Sequence, residues 1–125
     1  MKLIAGSLVS AILAITVSVS SATAADAAKG AKVFRKCKAC HSMEAGKRMI
    51  GPSLNGVFGR KAGTTEGFKY SKNMAALNVV WDDAAMSEFL QAPRKYVKGT
   101  KMAFAGLRKP ADIENLLAYL KENGG

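Results

Sequence analysis

Apolar residues recur at Ile113, Leu116, Leu117 and Leu120, the i, i+3, i+4, i+7 spacing of one helix face. Pro110 stands at the first helical position and Gly124 beyond the end, so a C-terminal helix with one buried stripe is predicted. A second helix is predicted over residues 27–38, where Gly30 and Phe34 lie one turn apart on a shared face. A third follows Asp82 and Asp83, whose carboxylates suit a helix N-terminus; it carries the spacing of Met86, Phe89 and Leu90 and is stopped by Pro93. A short helix is predicted over residues 71–77. Residues 42–70 read as loop, because Gly46, Gly51, Pro52, Gly56, Gly59, Gly63 and Gly67 interrupt any regular period. Around residues 27–50 no stretch alternates as a strand of a thioredoxin-like unit would.

The N-terminal pattern differs in kind. Of the first 25 residues 16 are hydrophobic, Lys2 is the one charge, and the run from Leu3 to Val19 leads into Ala22-Thr23-Ala24. That run is broken by Gly6, Ser7, Ser10, Thr16 and Ser18 and falls short of the roughly 20 apolar residues of a spanning helix. It reads as a secretory signal cleaved after Ala24 or Ala25. The expected organisation is residues 1–25 as cleaved signal and residues 26–125 as one exported domain.

Composition sharpens this. At 125 residues the chain has room for one small domain, which excludes a multidomain enzyme. Without Lys2, 18 Lys and Arg face 9 Asp and Glu, net +9 over residues 26–125. Only 19 of those 100 residues are Leu, Ile, Val or Phe, a content close to that of disordered chains. Yet helical periodicity is present, so a component other than amino acids is expected to complete the core.

Both cysteines and the one histidine fall in a single block, Cys37-Lys38-Ala39-Cys40-His41. CxxCH reads as covalent attachment of a c-type haem. Two thiols three residues apart on a tight turn can each add to one of two neighbouring vinyl groups, and the adjacent imidazole reaches the iron. A redox dithiol would follow a strand, a zinc site needs four ligands where three are present, and a disulfide would close a very short loop and leave His41 without a role. His41 supplies one axial position, and with no second histidine a methionine thioether is the soft candidate for the other. Met43 and Met49 follow His41 too closely, and Met86 has core spacing. Met102, in the glycine-bounded loop 99–106, is favoured, with Met74 remaining open.

The CKACH block, Gly51-Pro52-Ser53-Leu54, Gly59-Arg60-Lys61, Gly67-Phe68-Lys69-Tyr70-Ser71, Trp81 and the run from Lys95 to Met102 together resemble class I cytochrome c, in particular the bacterial cytochrome c2 branch. The resemblance covers the exported domain in order. It implies an all-α fold wrapped around one covalently attached haem, with first and last helices crossing through Gly30 and Phe34 against Leu116 and Tyr119. It implies His41 and Met102 as iron ligands, Cys37 and Cys40 as thioether sites, and the Pro52 carbonyl as acceptor from His41. It assigns the haem propionates to Arg60, Tyr70, Trp81 and Thr100, with Lys101 a weaker addition. Three positions depart from the family pattern: Phe89 stands where a tyrosine is common, Met74 where many members have a polar amide, and Lys98 where a proline is common.

With both axial positions filled, the implied function is one-electron transfer by a soluble periplasmic carrier, not an enzyme, between a cytochrome bc-type reductase and a reaction centre or terminal oxidase. The alternative is a ligand-binding or peroxidase-like haem protein, should Met102 not hold. Arg35, Lys36 and Lys38 bracket the attachment block, while Arg94, Lys95, Lys98, Lys101, Arg108 and Lys109 bracket Met102. Positive charge in these places suits acidic redox partners. It predicts docking through Lys36, Lys38, Arg94, Lys95, Lys98 and Lys101 by a monomer that touches membrane complexes only peripherally. No nucleic-acid recognition motif is present.

Overall fold

A computed structural model describes residues 24–125, together with Ile15 and Ser18. The expected signal, residues 1–25, therefore lies outside the described residues apart from Ile15, Ser18, Ala24 and Ala25. The described chain is helical without a sheet: α1 (Ala27–Phe34), α2 (Lys72–Ala75), α3 (Asp83–Gln91), α4 (Pro93–Tyr96) and α5 (Pro110–Glu122). None of these helices is long and apolar enough to cross a membrane.

α1 begins where Asp26 caps it, its carboxylate accepting from the Lys29 amide at 3.1 Å. It is shorter than the 27–38 expected. Beyond Phe34 the chain continues in tight turns, the Cys37 and Lys38 amides both donating to the Phe34 carbonyl at 2.8 and 3.0 Å. The helix thus hands over to the turn that the CxxCH spacing requires. α5 matches its predicted start at Pro110, and its stripe Ile113, Leu116, Leu117 and Leu120 is buried.

α1 and α5 cross at Gly30. A Cβ there would overlap the Asn115 carbonyl oxygen and lie 2.7 Å from the Tyr119 Cβ, so the crossing needs glycine. One turn on, the Phe34 and Tyr119 rings sit 5.0 Å apart. The Asp26 amide donates to Asn115 Oδ1 at 2.7 Å and closes the same contact. Gly30 faces Asn115 and Tyr119 most closely, and Leu116 is buried in the core, 1% exposed.

α2 falls inside the expected 71–77, capped by the buried Ser71, whose hydroxyl accepts from the Met74 amide at 3.2 Å. α3 starts after Asp82, whose side chain accepts from the Ala85 amide at 2.8 Å, and buries Met86, Phe89 and Leu90 as their spacing predicts. Pro93 does end α3, but it also opens α4 as its first residue, which the sequence reading did not anticipate. A proline breaks the preceding turn and suits the next N-terminus equally well.

The segment before α3 folds back on the 59–62 loop. The Ala62 amide donates to Val79 at 2.8 Å, Trp81 to Arg60 at 2.9 Å, and Gly59 to Trp81 at 2.7 Å. This ladder of three bonds sets Arg60 beside Trp81.

Candidate functional site

The helices and loops enclose a cleft of about 260 Å³ walled by apolar side chains, among them Phe34, Leu90, Phe104, Leu116 and Leu120. Cys37, Cys40, His41 and Met102 all line it. The two thiols are half-buried and unpaired, and burial pushes the Cys37 thiol above its ordinary range. The turn that carries them is fixed by the His41 amide donating to the Cys37 carbonyl at 2.9 Å and Cys40 to the same carbonyl at 3.0 Å.

His41 is held by its Nδ1, 2.8 Å from the Pro52 carbonyl oxygen. A carbonyl can only accept, so Nδ1 carries the proton and Nε2 keeps its lone pair. Burial lowers the pKa of the ring, which favours the neutral form that a metal ligand needs. Gly51 lets the loop come this close: a Cβ there would overlap Cε1 and stand 2.7 Å from Nδ1. The Gly51 amide donates to Cys40 at 2.8 Å, and the buried Ser53 donates from Oγ to Glu44 at 2.6 Å, so the loop is tied on both sides of Pro52.

Of the five methionines in residues 26–125, Met74, Met86 and Met102 line the cleft, and Met43 and Met49 do not. Met86 is packed in the core at 5% exposure, while Met74 and Met102 are half-buried.

The remaining expected residues also line this cleft, and they offer donors. Arg60 is oriented by two carbonyls, Ser53 at 3.0 Å and Asn55 at 3.2 Å, which leaves further N–H groups of its five free. The Tyr70 hydroxyl accepts from the Thr65 amide at 3.3 Å, and the Thr100 hydroxyl accepts from the Met102 amide at 3.3 Å. Both keep an O–H to donate. Close to Tyr70, Thr65 Oγ1 is buried without a partner. Trp81 is 6% exposed and packs on Phe89 at 5.1 Å and Tyr96 at 6.3 Å. Lys101 also lines the cleft, and its ammonium donates to the Lys69 carbonyl at 2.8 Å.

A residue the sequence reading passed over is Ile50, 79% exposed yet on the cleft. Its signal was available: an isoleucine directly before Gly51-Pro52, inside a loop otherwise made of turn residues.

The donor set tests what this cleft accepts. Two neighbouring thiols, a neutral imidazole with a free Nε2, a thioether, apolar walls and hydroxyl and guanidinium donors together fit a flat apolar macrocycle that carries iron and acidic arms, which is haem.

Comparison with known proteins agrees with this chemistry. The family model described as Cytochrome c matches residues 27–124. Cytochrome c2 iso-2 of Magnetospirillum fulvum is 52% identical over 88 residues, covering 70% of this chain and 92% of the relative. Cytochrome c2 of Afifella marina is 50% identical over 96 residues, 74% of this chain and 77% of the relative. Among solved structures, cytochrome cH from Methylobacterium extorquens superposes with a TM-score of 0.74 at 43% identity, covering 78% of this chain and 98% of that one.

Proposed function

The chain belongs to the cytochrome c family, with haem c as its cofactor, and from that premise we propose that it is a soluble one-electron carrier of the periplasm. The observation that carries this reading is the Nδ1 bond of His41 to Pro52, which leaves Nε2 free in the cleft that Cys37, Cys40 and Met102 share.

The bound haem supplies a reversible one-electron change at iron. Everything else belongs to the chain. Cys37 and Cys40 would hold the group by thioethers. His41, oriented by the Pro52 carbonyl, and Met102 would ligate the iron. A thioether favours the ferrous over the ferric state, as does an apolar surround that excludes water, here built by Phe34, Trp81, Phe89 and Leu90. Arg60, Tyr70, Trp81 and Thr100 donate to the propionates, which are costly to bury unpaired. Lys101 adds positive charge there.

Lys36, Lys38, Arg94, Lys95, Lys98 and Lys101 are all exposed, and Lys36 and Lys101 also line the cleft. They steer and orient acidic partner proteins, including the water-facing surfaces of a bc-type reductase and of a reaction centre or oxidase. Residues 1–25 direct export and are removed, leaving residues 26–125 as a monomeric domain.

The intact mass of the exported protein tests attachment, and carbon monoxide tests the role. A mass of the chain from about residue 25 plus one haem, with little carbon monoxide uptake by the reduced form, is the expected result. The bare polypeptide mass would overturn the haem assignment. Ready uptake by the wild type would remove Met102 as ligand and favour a ligand-binding protein.

A further inference from the structure

Met102 is carried by a strap, residues 98–106, with little structure of its own. From Lys101 to Gly106 no backbone amide bonds another backbone group among the described residues. The last such bond before this stretch is Thr100 to Val97 at 3.1 Å, and the first after it is Leu107 to Leu90 at 2.8 Å. The Met102 amide bonds Thr100 Oγ1, a partner inside the strap that ties it to nothing else.

Two bonds reach the strap from another part of the chain. Lys101 donates from its flexible, exposed side chain to the Lys69 carbonyl. Asn73 donates from Nδ2 to the Lys98 carbonyl at 2.7 Å, across 25 residues. The second is the better anchored. Asn73 sits on α2, which the buried Ser71 caps, and its neighbour Met74 lines the haem cleft. It also acts where the strap leaves α4, at a residue with no proline ring to fix its φ.

Resting on Met102 as an iron ligand, we infer that Asn73 is a positioning residue: its side-chain amide latches the Lys98 carbonyl and keeps the Met102 strap closed over the cleft. The bond joins neutral groups in an exposed place, so its loss raises the open fraction by about two- to tenfold.

The test uses the haem-loaded protein. Asn73→Ala removes the donor, and Asn73→Asp keeps the shape while replacing the donor with an acceptor. Imidazole, which competes with Met102 for ferric iron, is titrated against each, and hydrogen exchange is followed at the Thr100 and Met102 amides, which are bonded in the closed strap. Urea unfolding monitors the whole molecule. The inference predicts two- to tenfold tighter apparent imidazole binding in both variants and faster exchange at those amides, with helix α5 amides exchanging as in the wild type. Unchanged imidazole affinity overturns it. So does exchange that quickens equally in α5, with protection falling in step with urea stability, which marks a general structural loss. A Met102→Ala control separates the two levels: if it binds imidazole no more tightly than the wild type, the ligand assignment itself fails, whatever Asn73 does.

Discussion

The Nδ1 of His41 and the carbonyl oxygen of Pro52 lie 2.8 Å apart, close enough to fix both the tautomer and the plane of the ring. Their spacing depends on Gly51, whose missing side chain lets the loop lie against the imidazole. Gly51→Ala is therefore expected to push the ring off this bond. Overpacking of this kind costs about 1–3 kcal/mol. The expected readouts are a lower urea midpoint and a weaker haem–methionine absorption signature in the ferric protein; unchanged values for both would count against the contact.

Gly30→Ala strikes the α1–α5 crossing. The added methyl overlaps the Asn115 carbonyl, a backbone atom that cannot swing aside, so a loss of about 1–3 kcal/mol or more is expected. Chemical denaturation of the haem-loaded variant measures it. A midpoint equal to that of the wild type would mean that the two helices can move apart freely.

Tyr96 gives a pH signature. Burial, with Glu88 and Asp82 adding negative charge, raises its phenol above the ordinary value of 10.0. The folded protein therefore holds this proton at pH values where the unfolded chain releases it. The stabilisation is complete below about pH 10 and is lost as pH climbs through the raised folded value. Tyr96→Phe should flatten that part of the stability profile, measured as urea midpoints from neutral to strongly alkaline pH. A profile identical to the wild type would remove Tyr96 as its source.

The exposed Lys36, Lys38, Lys95 and Lys98 predict a salt-sensitive encounter. Stopped-flow electron transfer to an acidic redox protein should slow steeply as ionic strength rises, because the Debye length shrinks from about 30 Å at 0.01 M to about 8 Å at 0.15 M. Replacing Lys36 and Lys98 together by Glu should lower the rate at low salt and reduce its salt dependence. A rate indifferent to salt would move docking away from this surface.

Cys37→Ala with Cys40→Ala produces a chain that cannot attach haem. The 19 large aliphatic and Phe residues among residues 26–125 leave the walls of a cleft of about 260 Å³ without a filling. Near-ultraviolet circular dichroism of this variant should show no fixed tertiary packing. A native-like spectrum would show that the polypeptide alone suffices.

Those walls illustrate what the sequence made legible. The α5 stripe, the Asp82 cap and the CxxCH turn each follow from local rules in which a few neighbours decide the outcome, whereas the Gly30 crossing was implied only by the family resemblance. α4 did not, because one proline served as both terminator and initiator, and only tertiary context shows the second use. Within the site, His41 and the cysteines were readable from spacing alone. The bond from Asn73 to the Lys98 carbonyl was not, since it joins segments 25 residues apart. The sequence favoured Met102 and kept Met74 open, and both do reach the cleft.

The crossing of α1 with α5 joins residues as far apart as Asp26 and Asn115, 89 positions along the chain. In synthesis from the N-terminus, Gly30, Val33 and Phe34 emerge long before any surface exists to cover them. A nascent fragment ending before Pro110 has no seat for its first helix, and closing so long a loop is slow to begin. The fold is thus late to complete, which leaves the chain threadable while it is still being made.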